Sequence, residues 1–335
     1  MNHPDFEALS NRWPNLASAR LGARVVEVTD EFFAPAERML ADSEPVFIPG
    51  KYDDHGKWMD GWESRRRRGP GHDWAVVALA VPGAVAALEI DTRHFTGNYP
   101  LAAEVEFCRV DSDTELSTAA WQTLTPLTSL QGDHCHRIEI DTPQVCSHLR
   151  LHIHPDGGIA RFRVYGTPSV DWAQWQGQTN IELSAAQTGG RILAFSDAHF
   201  GRPDPLLYPG RGRDMGDGWE TRRRREPGFD WCVIALGHPG TIHRLEVDTA
   251  HYKGNYPAQA SVEAACLPGV TDPALLRTSS MFWQPLLPAS PVGPDSIHIF
   301  EKELTRRGPF THVRLNIHPD GGISRFRVFG EPVQL

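Results

Sequence analysis

The stretch Asp60-Gly61-Trp62-Glu63-Ser64-Arg65-Arg66-Arg67-Arg68 decides how this chain folds, because it returns as Asp217-Gly218-Trp219-Glu220-Thr221-Arg222-Arg223-Arg224-Arg225. Residues 60–100 and 217–257 agree at 26 of 41 positions without a gap, and residues 149–166 and 313–330 at 14 of 18. Smaller echoes open each copy: Gly22 and Arg24 with Gly189 and Arg191, Asp30 and Phe33 with Asp197 and Phe200. A repeat of this length is a duplicated domain, not a solenoid unit. It predicts a polar lead-in over 1–14, one copy over 15–168, a linker over 169–181 and a second copy over 182–335. Trp172 and Trp175 mark that linker as a segment that packs down.

Within each copy the pattern is that of strands. Leu149, Leu151 and Ile153 alternate with Arg150, His152 and His154, and Phe162 and Val164 with Arg161 and Arg163. Val313, Leu315 and Ile317, then Phe326 and Val328, repeat the pattern. Period-two alternation predicts half-buried antiparallel strands. Pro155-Asp156-Gly157-Gly158 between the two runs predicts a hairpin turn. Further strands are predicted at 75–81, 85–91, 103–110 and 136–141. Glycine and proline make up 57 of 335 residues (30 + 27), and no segment carries a long helical period. Many short strands with frequent turns give an all-β class: two tandem jelly-roll β-sandwiches.

Composition excludes several function classes. A net charge of −9 gives no general attraction for nucleic acid or an anionic membrane. No apolar run approaches the roughly 18 residues of a membrane span, and residues 1–14 show no apolar signal-peptide core. Five cysteines without CxxC spacing fit free thiols in a reducing, cytoplasmic setting. There is no phosphate-binding glycine loop, dinucleotide fingerprint, HExxH or GxSxG in a credible context.

Three repeated motifs carry chemistry. The arginine run suits carboxylate capture, since a guanidinium fork matches a carboxylate; its structural alternative is pairing with nearby acids such as Asp60, Glu63 and Asp73. The second motif, Asp91-Thr92-Arg93-His94-Phe95-Thr96-Gly97-Asn98-Tyr99-Pro100, follows a strand and recurs from Asp248 to Pro257. Its Gly-Asn pair suits a turn. His94 and Asn98 also supply an ionisable ring and an amide whose donor and acceptor match a urea. The third is His152-Ile153-His154-Pro155-Asp156-Gly157-Gly158. Histidines two apart on a strand share a face, as do His134 and His136, so a metal is conceivable. Asn316 breaks the first pair in the second copy, and the second pair has no counterpart there.

Together with Pro49-Gly50-Lys51, Gly56-Lys57-Trp58-Met59 and Gly71-His72-Asp73-Trp74, these motifs resemble the allantoicase (allantoate amidinohydrolase) family over nearly the whole chain. The resemblance implies two galactose-binding-like jelly rolls, a homo-oligomer, and hydrolysis of allantoate to ureidoglycolate and urea in purine breakdown through allantoin. Against that substrate, Lys51, Arg65 and Arg222 are candidates to hold the carboxylate, and Asn98 and Asn255 to hold a ureido group. Glu63, His94, His154 and Asp156, with Glu220, His251, His318 and Asp320, are candidate acid–base groups. Which is acid, which is base, and whether one repeat or both contribute stay open. No cofactor and no metal ligand is predicted, with a divalent ion left open. The rival reading is a non-catalytic jelly roll that binds a sugar or other small molecule, with Trp62, Trp74, Trp219 and Trp231 as its platform.

Overall fold

The computed structural model describes residues 9, 10 and 12–335. The chain divides into two compact units, one ending at Val170 and the other running from Asp171 to Leu335. Each is an antiparallel β-sandwich. Most of the predicted lead-in lies outside the described residues. Leu9 and Trp13, however, pack against Ala87 and Tyr165, so its C-terminal end belongs to the sandwich.

The first unit contains β1 (Arg24–Val28), β2 (Asp73–Asp91), β3 (Ala102–Cys108), β4 (Gln122–Ser129), β5 (Cys135–His154) and β6 (Arg161–Pro168). Their order is β1-β2-β5-β3-β4, with β6 also paired to β2. Asp73 to Ala78 of β2 pair with the end of β5, and the ladder resumes at Gly83 after a register slip. From Gly83 to Asp91, β2 runs between β6 and the first half of β5. The strands predicted at 75–81 and 85–91 are therefore one strand interrupted at Pro82-Gly83, where proline has no amide for the ladder. The inward set Leu149, Leu151, Ile153, Phe162 and Val164 is completely buried in one core with Trp62, Val77, Leu88 and Ile90.

The predicted hairpin at 155–158 is not one. Among the described residues β5 and β6 do not pair with each other; each pairs with β2. The turn instead carries the chain across β2, and its Gly158–Ile159 segment pairs with Trp62–Glu63. Tight packing explains the sequence. A side chain on Gly157, whose φ is +141°, would meet Asn98 O, Tyr99 C and Pro100 N at 2.6–2.8 Å. Gly158 N donates to Asn98 O at 2.7 Å. Two motifs far apart in sequence are thereby fastened backbone to backbone.

The second unit repeats the plan with β7 (Arg191–Phe195), β8 (Asp230–Asp248), β9 (Gln259–Ala265), β10 (Gln284–Pro291), β11 (Ile297–Phe300), β12 (Phe310–His318) and β13 (Arg325–Pro332). β11 and β12 both pair with β8, so together they take the place of β5. A short helix, α1 (Pro273–Ser279), lies between β9 and β10. Trp172 packs on His238 at 4.8 Å and on Trp175 at 5.1 Å, which places the tryptophan segment on this unit.

The repeated Asp-Gly-Trp-Glu stretch now has a physical reading. Asp60 neutralises Arg161, which is fully buried, across 2.8 Å. Gly61 lies where a side chain would strike Ile159 O at 2.3 Å. Trp62 is wholly buried and donates its indole N–H to Asp30 O at 2.8 Å. Burying a tryptophan removes roughly 200 Å² from water, about 5 kcal/mol of transfer energy before ordering costs. Asp217 with Arg325, Gly218, and Trp219 on Asp197 O repeat each contact. Three of the four residues are scaffold, and the fourth, the glutamate, is carried by it.

Candidate functional site

Glu63 stands at the end of that scaffold, opposite the loop that carries Asn98. The Asn98 Nδ2 donates to Glu63 Oε1 at 2.6 Å, and Asn255 Nδ2 donates to Glu220 Oε1 at 2.5 Å. Two groups that read as separate candidates, one for acid–base work and one for a ureido group, are thus one unit in each repeat. Burial raises the Glu63 carboxyl above the ordinary carboxylate value, opposed by the Asn98 hydrogen bond and by the positive charge of Lys57. A half-buried carboxyl that keeps its proton more readily than usual is suited to proton transfer.

The other predicted residues have identifiable partners. Asp156 Oδ2 accepts the Arg67 backbone N–H at 2.8 Å, and Asp320 Oδ2 that of Arg224 at 2.8 Å. Arg67 and Arg224 in turn hold Asp73 and Asp230 at 2.7 and 2.8 Å. These aspartates aim the arginine loop. Arg65 and Arg222 each place Nε on an aspartate, Asp30 and Asp197, at 2.7 Å, so their charge is already balanced. Arg66 lies 3.7 Å from Asp156, while Arg68, Arg223 and Arg225 are exposed with no partner among the described residues. They are the run's uncommitted cations.

His94 and His251 adopt left-handed backbone, φ 71° and 70°, a conformation non-glycine residues rarely take. Asp133 and Asp295 secure it by accepting their backbone N–H groups at 2.8 Å. His94 Nε2 then meets Pro45 O at 3.1 Å and His251 Nε2 meets Gly212 O at 2.8 Å. A carbonyl only accepts, so each Nε2 carries the proton and the rings tie down neighbouring loops. Lys51 Nζ sits 3.5 Å above the Trp58 ring, and Lys57 Nζ lies 4.4 Å from the Phe47 ring. Both lie in the segment that is about ten residues longer in the first repeat than in the second. Lys57, not singled out from sequence, is the one whose charge reaches Glu63.

His154 joins a polar corner absent from the sequence reading. Its ring packs on His72 at 4.1 Å, and its Nε2 meets Glu104 Oε1 at 3.2 Å. His72 Nε2 faces His152 Nδ1 at 2.8 Å, and His152 Nε2 faces Glu106 Oε2 at 2.9 Å. Burial, then the charges of His154 and His152, lower the affinity of His72 for a proton. His318 has different company: Ser261 Oγ at 3.0 Å and the Phe229 ring at 4.6 Å, and burial lowers its proton affinity too.

The sugar-platform tryptophans are not available as a set, since Trp62 and Trp219 have no exposed surface. Trp74 and Trp231 are half-buried, with Arg150 and Arg314 stacked over them at 5.3 and 4.6 Å. A second acidic cluster, Glu89 with Asp91 and Cys135, is committed to Arg163 and Arg93 at 2.7 and 2.6 Å. Its thiol is pushed strongly up by burial.

Fold and site define a class: a duplicated β-sandwich whose two copies each present a glutamate–asparagine pair beside a cationic loop. A family model described as allantoicase repeat matches residues 14–169 and 181–333. Probable allantoicase 2 of Burkholderia pseudomallei is 53% identical over 328 residues, covering 98% of this chain and 97% of its own. A probable allantoicase of Rhizobium meliloti is 54% identical, covering 94% and 93%. The crystal structure of allantoicase from Saccharomyces cerevisiae matches with a TM-score of 0.81 and 34% identity over 98% of each chain. The chain belongs to the allantoicase family.

Proposed function

We infer that this chain hydrolyses allantoate to ureidoglycolate and urea. Full-length likeness to proteins named allantoicase supports the reading, and the glutamate–asparagine pair is the observation that carries it to particular atoms. Allantoate has one carboxylate and two ureido groups on a single carbon. Asn98 spends one Nδ2 hydrogen on Glu63. Its second hydrogen and its Oδ1 remain for a ureido group, which offers a carbonyl and an NH₂. The exposed Arg66 and Arg68 suit the substrate carboxylate better than Arg65, whose Nε is on Asp30.

Urea leaves poorly unless its nitrogen is protonated as the bond breaks. Glu63 gives its proton to that nitrogen while the electron pair of the other ureido nitrogen forms a C=N bond. Water then adds to the central carbon and returns a proton to Glu63. One C–N bond is exchanged for one C–O bond, and the atoms of water are divided between the products. The same glutamate serves as acid and then as base. Glu220 and Asn255 offer the second repeat's equivalent contacts.

The proposal extends to a homo-oligomer, as the family resemblance implies, and to a reducing compartment, which five free thiols support. No helix among the described residues is long and apolar enough to cross a membrane. The test is product analysis on allantoate. Urea and ureidoglycolate in equal amounts are expected; ammonia as the first product, or no turnover, contradicts the reading.

A further inference from the structure

The hydrolysis outlined above leaves the polar corner of the first repeat unused. We propose that this corner binds a divalent first-row transition ion through His72 Nε2, His152 Nδ1 and the Glu104 carboxylate. One ligand atom from each of the three residues lies within 4.8 Å of the others. They come from separate elements: His72 precedes β2, Glu104 is on β3, and His152 on β5 is its register partner. Two imidazoles and one carboxylate form the donor set that zinc and related ions take when positions are left for water.

The surroundings are those of a metal ligand set. Glu106 Oε2 lies 2.9 Å from His152 Nε2 and is also held by Arg150 at 3.2 Å. A carboxylate accepts, so it fixes the proton of His152 on Nε2 and turns the Nδ1 lone pair toward His72. A carboxylate behind a ligating histidine sets its tautomer and ring orientation in this way. His154 engages one oxygen of Glu104 at 3.2 Å and leaves the other for the ion. Without an ion, the 2.8 Å approach of His72 to His152 is a hydrogen bond from His72 Nε2–H. With one, His72 carries its proton on Nδ1 instead. Two nitrogens on a tetrahedral ion stand ~3.3 Å apart, so the rings need to open by about half an ångström.

The second repeat supplies an independent observation. The strand register puts Ser261 where Glu104 stands and Asn316 where His152 stands, and Phe229 replaces His72. All three donors are gone together, while the glutamate behind them, Glu263, remains. Asn316 Nδ2 now donates to Glu263 at 2.5 Å and to Ser261 at 3.0 Å. The scaffold therefore accepts a non-ligating set, which provides the control.

The experiment uses the full chain without an affinity tag, stripped with a chelator and titrated with Zn²⁺ and Co²⁺. One equivalent per chain is expected, with the visible Co²⁺ absorption of a four- or five-coordinate nitrogen–oxygen site. The combined variant His72→Phe, Glu104→Ser, His152→Asn copies the second repeat and is expected to lose binding by at least 100-fold. Glu104→Gln keeps the shape and is expected to weaken binding at least tenfold. Glu106→Gln acts through His152 and is expected to weaken it by about 10–100-fold. Binding well under one equivalent by the wild-type chain overturns the proposal. So does a combined variant that binds as the wild type does. If that variant does not fold, unchanged affinity in Glu104→Gln overturns it alone.

Discussion

The two repeats agree where the chain is built and differ where its ionisable side chains gather. Asp60–Arg161 and Asp217–Arg325, Trp62 and Trp219, and Glu63–Asn98 and Glu220–Asn255 correspond pair for pair. His72, Glu104 and His152 against Phe229, Ser261 and Asn316 do not correspond in chemistry at all. Nor does Lys57, in the segment that is about ten residues longer in the first repeat, have a counterpart. The difference teaches that duplication has kept the glutamate–asparagine pair twice but has placed Lys57 and the histidine corner only in the first copy. We therefore expect proton transfer to centre on Glu63, with Glu220 contributing less to turnover.

The largest expected effect tests the shared scaffold. Arg161→Met leaves Asp60 without its buried partner, and Arg325→Met removes that of Asp217, which keeps Arg213 at 3.2 Å. Breaking a buried pair by removing one side costs about 3–5 kcal/mol. Denaturant unfolding is expected to show similar losses for the two variants; a large loss in one alone breaks the equivalence of the copies.

Next comes the functional asymmetry. Glu63→Gln is expected to lower kcat for urea release about 100–1,000-fold, within the range of general acid–base catalysis. Glu220→Gln is expected to leave kcat within about threefold of the wild-type value. Equal losses of kcat in both would show that each copy carries out the chemistry, and no loss in Glu63→Gln would remove that glutamate from it.

Smaller effects sharpen the local picture. Gly157→Ala and Gly321→Ala each force a side chain into the loop that carries the asparagine, with contacts of 2.6–2.9 Å to its backbone. Thermal unfolding is expected to show a loss of about 1–3 kcal/mol in each, accompanied in Gly157→Ala by a raised KM. Wild-type stability in the other repeat's glycine background would not compensate.

The smallest effect is in pH. The folded state holds the Glu63 proton more tightly than the unfolded chain, whose carboxyl titrates near 4.5. The resulting stabilisation is complete below that value and is lost as pH rises through the raised folded value. Wild type should therefore lose ground to Glu63→Gln in denaturation midpoint on going from acid to neutral pH. A widening gap in favour of wild type would reverse the sign and contradict the burial argument.

Much of this was legible from residues alone. Period-two alternation at 149–154 and 161–164 marked real strands, and the duplication marked two sandwiches. What escaped was long-range. The turn at 155–158 has hairpin residues, yet it crosses β2, because its glycines are needed under Asn98 and not for reversing the chain. Glu63 and Asn98 were both singled out, but 35 residues separate them and nothing local says that they touch. His72 and Glu104 carry no local signal, because a cluster assembled from three elements leaves no spacing pattern. Lys51 was preferred to its neighbour Lys57, and only packing shows which charge faces the carboxylate. Arg65 looked like a carboxylate anchor because Asp30, its partner, is far away in sequence.

Urea release from allantoate by the double variant Glu63→Gln, Glu220→Gln tests the central claim most directly. With both pairs disabled and the fold verified by its thermal transition, the account expects kcat for urea formation to fall at least about 100–1,000-fold below that of the wild-type chain. Turnover close to that of the wild-type chain would show that the glutamate–asparagine pairs are not where allantoate is cleaved.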